Sequence, residues 1–104
     1  MSPRIEVPLS RIREFCRKWR VKEMSLFGSV LRDDFRPDSD VDVLVDFLDD
    51  GAWGLLDLVH MEEELSAILG RKADLVDRRS VEASRNYIRR RRILDSLEPL
   101  YVAG

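Results

Sequence analysis

The segment Asp40–Phe47 constrains the fold more than any other part of this 104-residue chain. Aspartates at positions 40, 42 and 46 alternate with valines at 41, 43 and 45, and Phe47 continues the apolar series. This period-two alternation is typical of a β-strand with one buried face. Such a strand needs neighbouring strands and a covering layer. The sequence therefore predicts an α/β (α+β) fold, a small mixed sheet covered by helices.

Other segments supply the remaining elements. The helical spacing of apolar residues predicts two long helices, the second with a stripe of Leu55, Leu58, Val59, Glu62, Leu65, Ile68 and Leu69 and a terminating Gly70. The region after the third strand is predicted to be helical in pieces, with Ser80 and Asn86 as N-caps. In chain order, the predicted segments are a helix near Leu9–Trp19, a strand at Glu23–Phe27, helical turns at Val30–Asp33, a turn at Arg36–Ser39, the strand Asp40–Phe47, a helix near Trp53–Leu69, and strands at Ala73–Val76 and Pro99–Val102.

Length and composition exclude several classes of protein. A chain of 104 residues with 44% hydrophobic residues can fill one core, so we expect a single domain over residues 1–104 and not a disordered chain. One cysteine excludes a disulfide scaffold and a cysteine-rich zinc module, and we expect that cysteine, Cys16, in the core. No apolar run approaches the roughly 20 residues of a membrane helix, and the N-terminus lacks a signal peptide's apolar stretch. We therefore expect a cytoplasmic protein with no membrane partner.

The formal net charge of -2 conceals a segregation of charge. Six basic residues and one acid lie in Arg11–Lys22, and seven arginines and one acid lie in Arg78–Arg92. Between them, Asp33–Asp50 holds eight aspartates and one base. A surface charged only for solubility would mix the signs. The aspartate-rich block is therefore where we look for chemistry.

Asp40 and Asp42 fall on the same face of the predicted strand, with Cα atoms roughly 6.5–7 Å apart. Carboxylates this close repel unless a cation lies between them, and Mg²⁺ prefers carboxylate oxygens. Asp74, on the third predicted strand, is the candidate to complete a two-metal site for phosphoryl or nucleotidyl transfer. Upstream, Gly28 and Ser29 follow a strand directly, an arrangement that lets backbone N–H groups approach a phosphate.

These residues resemble a known motif. The run from Phe27 to Arg32 followed by Ser39-Asp40-Val41-Asp42 resembles the polymerase-β-like nucleotidyltransferase motif, a Gly-Ser followed by Asp-x-Asp on the next strand. The chain is similar to the minimal nucleotidyltransferases in its size, in the later Asp74 and in its Arg-rich C-terminal segment. Members of that group are often encoded as antitoxins beside a HEPN-domain toxin. The resemblance covers about Val21 to Tyr101.

The resemblance implies a role for each residue that matches the motif. Two Mg²⁺ ions would be bound by Asp40, Asp42 and Asp74, and Asp74 would also help to activate the acceptor hydroxyl. The nucleotide-binding residues would be Gly28 and Ser29, which would hold the β and γ phosphates of ATP, together with Arg32 and Ser39. Asp33 departs from the pattern, because many relatives place glycine there. Its negative charge either weakens triphosphate binding or lies in solvent.

The function implied by the resemblance is transfer of AMP from Mg-ATP to a protein hydroxyl. The acceptor would be a tyrosine of a cognate HEPN toxin, and the chain would act as a type VII-like antitoxin. One alternative is a non-catalytic antitoxin that neutralises its HEPN partner by binding. Another is transfer to a small molecule, against which the short chain argues, or to RNA. The acidic balance outside the Arg segments argues against nucleic acid as a direct substrate. Both a homo-oligomer and a hetero-oligomer are compatible with the sequence.

The Arg89–Arg92 run cannot face one ligand as a whole, because successive helix positions lie about 100° apart. If a helix starts near Tyr87, Arg89 and Arg92 point away from its apolar side, and we hypothesise that they contact an acidic partner or RNA. A solvated face is the alternative. Arg90 falls among the apolar positions, so it snorkels, pairs with an acid or faces the cleft.

Four further residues receive structural interpretations. His60 lies in the middle of a helix and is interpreted as structural or exposed. Asp77 is odd-spaced from Asp74 and is expected on the opposite strand face. Trp19 and Trp53 are expected to lie in or over the core.

Overall fold

A computed structural model describes residues 7–28, 40–48, 53–95 and 97–103, with Arg89 described by its backbone only. The predicted turns at 30–33 and 36–39 lie outside these ranges. The described residues form a four-stranded sheet in the order β3-β2-β1-β4, in which β1 runs antiparallel to β2 and β4, and β2 runs parallel to β3. This mixed sheet with its helices confirms the predicted fold class. The elements are α1 (Leu9–Lys18), β1 (Val21–Phe27), β2 (Val41–Phe47), α2 (Leu55–Leu69), β3 (Ala73–Asp77), α3 (Arg78–Glu82), α4 (Tyr87–Asp95) and β4 (Glu98–Val102).

The main core lies between one face of the sheet and helices α1 and α2. Cys16 is fully buried there, as predicted. The alternation along β2 places its three valines in this core, all at 1% exposure or less. The core side chains are Ile12, Phe15 and Cys16 of α1, Met61, Leu65 and Leu69 of α2, and Val21, Met24, Leu26, Val41, Val43, Val45, Phe47 and Ala73 of the sheet.

A smaller cluster covers the other face of the sheet. Phe27 and Leu44 of the sheet pack there against Val81 of α3 and Ile93 of α4. Both faces of the sheet therefore carry helices, and the described residues cover the second face only in part. The aspartates of β2 lie on this second face.

Two tryptophans cover an end of the main core. Trp19 and Trp53 meet edge to face with ring centroids 5.1 Å apart. The indole N–H of Trp53 donates to the carbonyl of Trp19 at 2.9 Å, and the indole N–H of Trp19 donates to Glu64 at 3.1 Å. Both rings are partly buried, which agrees with their predicted place at the core.

Helix ends follow the local chemistry, with one correction. Gly70 takes the left-handed conformation, with φ of 70°, at the end of α2, as predicted. The N-cap of α3 is Asp77 and not Ser80, because the Asp77 carboxylate accepts the N–H of Arg79 at 3.0 Å. Ser80 lies inside that helix, so its prediction as a cap was wrong. Helix α4 begins at Tyr87, directly after Asn86.

The apolar stripe of α2 also differs from its prediction. Leu55 is 78% exposed and Val59 is 45% exposed, so neither reaches the core. The buried residues are Met61, Leu65 and Leu69. The helix packs against β3 and α1. No helix in the described ranges is both long and apolar enough to span a membrane.

Side chains of α2 bind the outer edge of β3, which among the described strands has a neighbour only on its β2 side. The N–H of Ala73 donates to Ser66 Oγ at 2.8 Å, and the N–H of Leu75 donates to Glu62 Oε2 at 3.1 Å. Ser66 Oγ in turn donates to the Glu62 carbonyl at 2.7 Å. Glu62 and Ser66 are four residues apart on α2, and the N–H groups that they accept are two residues apart on β3. The two hydrogen bonds lie on either side of Asp74.

Replacing Glu62 with alanine should destabilise the β3 edge. The Leu75 N–H then loses a charged acceptor, which costs about 1–3 kcal/mol. We expect a lower free energy of unfolding in urea and faster hydrogen exchange at the Leu75 amide. Glu63→Ala is the matched control, because Glu63 is exposed on the same helix and should change stability by no more than about 0.5 kcal/mol. Equal losses in the two variants would contradict this role for Glu62.

Candidate active site

The second sheet face carries two carboxylates in direct register. Asp42 of β2 pairs with Asp74 of the parallel strand β3. Neighbouring strands lie about 4.8 Å apart, and paired residues project to the same face. The sheet therefore holds these two carboxylates side by side. Asp42 is half-buried and Asp74 is exposed, so the pair lies where the covered part of the face meets solvent.

Asp40 lies at the start of this arrangement. It immediately precedes β2 and is two residues before Asp42, so it shares that side of the strand. Its Oδ2 is 4.0 Å from Nζ of Lys72, and both side chains are largely exposed. An exposed pair at that distance contributes little to stability. The backbone is held more firmly, since the N–H of Val41 donates to the Lys72 carbonyl at 2.9 Å.

Gly28 packs directly against the Asp42 carboxylate. It follows the end of β1, whose last residue, Phe27, is the register partner of Asp42. A Cβ placed on Gly28 would overlap with Asp42 Oδ2. The residue also has φ of 78°, a conformation that favours glycine. The close approach and the backbone conformation thus both require glycine at this position.

The far end of the same face shows how a second carboxylate pair is accommodated. Glu23 of β1 and Asp46 of β2 are register partners. The guanidinium of Arg78 lies 3.7 Å from Glu23 and also binds Glu82 at 2.8 Å. Arg78 therefore brings positive charge to this pair and links α3 to β1. No basic side chain in the described ranges pairs with Asp74.

Oxygen donors dominate the candidate site, which suits a hard cation. Asp40, Asp42 and Asp74 offer only carboxylate oxygens. Across the described ranges, no three His, Cys, Asp or Glu side chains are gathered closely enough to hold a metal ion by themselves. Mg²⁺ is commonly bound by one or two carboxylates together with substrate phosphates, so the donor set fits this ion in the presence of a nucleotide.

The candidate site residues divide into two groups. The structure brings together Gly28, Asp42 and Asp74, with Asp40 at the margin. Ser29, Arg32 and Ser39 lie outside the described residues.

Three other titratable residues, Cys16, His60 and Asp77, lie apart from the candidate active site. Burial raises the pKa of the Cys16 thiol to about 12, so it stays protonated at neutral pH and is not a nucleophile. His60 is exposed on α2, the helix that covers the opposite sheet face. Asp77 accepts the Arg79 N–H at the start of α3.

Sequence reasoning missed the side chains that bind the edge of β3 near the site. Glu62 and Ser66 bind the edge of β3, and the polar Glu62 within an otherwise apolar stripe was the available signal. Arg90 lines a pocket with Ser80 and Ser84, which agrees with the cleft-facing alternative for Arg90. Arg92 is exposed.

Comparison with known proteins identifies the family. A family model described as a nucleotidyltransferase domain matches residues 9–98. The protein adenylyltransferase MntA of Thermococcus cleftensis is 39% identical over 71 residues, which span 68% of this chain and 70% of the relative. A candidate protein adenylyltransferase of Methanocaldococcus jannaschii is 36% identical over 81 residues, which span 70% of this chain and 81% of the relative.

Solved structures share the fold. A chain from a toxin–antitoxin crystal structure with AMP-PNP superposes with a TM-score of 0.72 at 22% identity, covering 94% of this chain and 76% of that one. A tri-AMPylated Shewanella oneidensis HEPN toxin in complex with an MNT antitoxin contains a match with a TM-score of 0.64 at 23% identity, covering 91% and 70%. A candidate minimal nucleotidyltransferase matches with a TM-score of 0.67 at 30% identity, covering 88% and 87%. These findings confirm the resemblance seen in the sequence: the chain belongs to the nucleotidyltransferase domain family, as a minimal nucleotidyltransferase.

Proposed function

We propose that this protein transfers AMP from Mg-ATP to a hydroxyl group of a partner protein and releases pyrophosphate. The observation that carries the proposal is the register pair Asp42 and Asp74 on one sheet face, with Gly28 packed against Asp42. Curated relatives that share more than a third of their aligned residues with this chain are named protein adenylyltransferases, one of them as a candidate. The activity in these names agrees with the metal-dependent nucleotidyl transfer for which two adjacent carboxylates are suited.

In this proposal Asp42 and Asp74 hold Mg²⁺, and Asp40 joins them from just before β2. The ions, of which we expect two, would neutralise the negative charge that accumulates on the phosphates during transfer. Gly28, together with Ser29, Arg32 and Ser39, holds the triphosphate. The contact of Gly28 with Asp42 supports this assignment, because the missing side chain lets the backbone at the end of β1 lie directly against a carboxylate of the proposed metal site.

The proposed reaction is one in-line displacement at phosphorus. The acceptor oxygen forms a bond to the α-phosphorus of ATP, and the bond from that phosphorus to the oxygen bridging to the β-phosphate breaks. Pyrophosphate leaves with the electron pair of the broken bond. The hydroxyl proton passes to the Asp74 carboxylate and then to water. Asp74 suits this role because it is exposed on the second sheet face, where an acceptor can reach it.

The acceptor that we propose is a tyrosine of a cognate HEPN toxin, which the modification would silence. The support is that structural neighbours are toxin–antitoxin complexes and that one contains a tri-AMPylated HEPN toxin. The chain would then act as an antitoxin through catalysis. A non-catalytic antitoxin would instead neutralise its partner by binding, and the two are separated by variants of the carboxylates.

Asp42→Asn and Asp74→Asn should each lower AMP transfer by at least about a hundredfold, since each removes charge that the proposal assigns to the metal site. The measurement is the mass increase of the cognate partner, in AMP units, after incubation with Mg²⁺ and ATP. Asp46→Asn is the matched control, because Asp46 lies on the same face of β2 at the end where Arg78 supplies positive charge. It should retain transfer within a few fold.

The same variants test the binding alternative in cells. If the antitoxin acts by catalysis, Asp42→Asn should fail to protect cells from the toxin, whereas Asp46→Asn should protect them. Protection by Asp42→Asn, with no mass increase on the toxin, would establish neutralisation by binding and overturn the proposed transfer.

Removal of divalent cations should abolish transfer, and Mg²⁺ should restore it. A readout independent of turnover is the rise in melting temperature that ATP produces, because a ligand that binds the folded state stabilises it. We expect this rise with Mg²⁺, a much smaller one with EDTA, and a much smaller one for Asp42→Asn under either condition. A rise of equal size in EDTA would contradict the proposed metal role.

Gly28→Ala should abolish transfer, and Gly70→Ala should not. Both glycines have positive φ, so alanine at either site costs about 1–2 kcal/mol of stability. Only at Gly28 would the added Cβ also displace the Asp42 carboxylate, because nothing lies within 4 Å of a Cβ at Gly70. The measurements are urea unfolding and AMP transfer for both variants. Transfer by Gly28→Ala at the rate of Gly70→Ala would show that the contact with Asp42 is unimportant.

A further inference from the structure

A pocket of about 140 Å³ opens between β3, α3 and α4. Its sheet wall is Val76, which lies two residues beyond Asp74 on the same strand face, about 6.6 Å along the strand. The pocket therefore borders the candidate active site on its Asp74 side. The lining residues are Val76, Ser80, Val81, Ser84, Arg90 and Ile93.

Arg90 brings a positive charge to this pocket. Its Nη1 donates to the carbonyl of Glu82 at 3.2 Å, and its guanidinium lies 5.5 Å from the centre of the Tyr87 ring. No carboxylate in the described ranges pairs with it, whereas the adjacent Arg91 pairs with Asp95. Arg90 is half-buried, and a charge partly removed from water favours binding of an opposite charge.

Two serine hydroxyls add hydrogen-bond donors. Ser84 Oγ accepts the N–H of Asn86 at 3.2 Å, which leaves its O–H free to donate into the pocket. Ser80 lies on the exposed side of α3 at the pocket wall. A guanidinium fork with hydroxyl donors matches the oxygens of a phosphate, and none of the described lining residues is acidic.

We propose that this pocket binds a phosphate group carried by one of the two substrates, with Arg90 as its charged ligand and Ser80 and Ser84 as hydroxyl donors. The inference rests on the proposed transfer of AMP. A volume of about 140 Å³ is several times the roughly 30 Å³ that one water occupies, so a phosphate with its ester groups has room. The phosphate is either part of the ATP tail, which would then contact Arg90 in addition to Gly28, or part of an AMP unit already attached to the acceptor.

Binding of inorganic pyrophosphate and of AMP-PNP to the isolated chain, with Mg²⁺ present, tests the first source. Loss of one charged hydrogen-bonding ligand should weaken binding by about tenfold or more in Arg90→Gln. Arg90→Lys keeps the charge without the fork and should fall between the two. Arg91→Gln is the matched control on the same helix and should bind as the unaltered chain does. Urea unfolding verifies that each variant is folded.

Transfer to the cognate partner tests the second source, with AMP units counted by mass. If Arg90→Gln binds pyrophosphate normally and adds the first AMP normally but adds later units slowly, the pocket holds the phosphate of the attached AMP. If Arg90→Gln matches Arg91→Gln in both assays, the proposal is overturned. If the unaltered chain transfers no AMP at all, the proposed function fails, and the pyrophosphate assay alone decides the role of the pocket.

Discussion

The parallel register between β2 and β3 is the constraint on which the rest of the site depends. It sets Asp42 beside Asp74, although two carboxylates repel at that spacing. The repulsion is opposed by packing, because Val41, Val43 and Ala73 project to the other face and are fully buried. A slip of one residue would move an aspartate into the core and a valine into solvent. Packing on one face therefore maintains the unfavourable proximity on the other.

The helices stabilise this register from different directions. Helix α2 binds the free edge of β3 through Glu62 and Ser66, which limits the movement of the strand that carries Asp74. Helix α3 begins directly where β3 ends, with Asp77 as its cap. The wall of the pocket that α3 forms therefore follows β3 without a linker, whereas Arg90 is contributed by α4.

Much of the fold could be predicted from local pattern. The alternation in Asp40–Phe47 placed the aspartates on one face, and Gly70 marked the end of α2 correctly. Register could not be predicted in this way, because it depends on how separate strands meet. The pairing partner of Asp74 is Asp42, and Asp40 lies just before the strand. The position of Arg90 over a pocket likewise depends on the packing of α3 and α4 against the sheet, which no local pattern contains.

Two errors have a common cause. Ser80 was expected to cap a helix, and Leu55 was expected in the core. Each expectation used residue type and spacing alone. Asp77 supplies a carboxylate three residues earlier, so the helix starts there. Leu55 is 78% exposed, and the buried residues of α2 are Met61, Leu65 and Leu69. Competition between neighbouring residues and the extent of a packing surface decide such cases, and the sequence pattern describes neither.

The binding of α2 to the β3 edge also governs how another molecule can approach. A peptide that joins a sheet as an additional strand needs free N–H and C=O groups along an edge strand. At β3 the N–H groups of Ala73 and Leu75 already have side-chain acceptors. These two N–H groups are thus closed to an added strand beside Asp74, so in the proposed reaction an acceptor protein would reach Asp74 over the sheet face and not along the β3 edge.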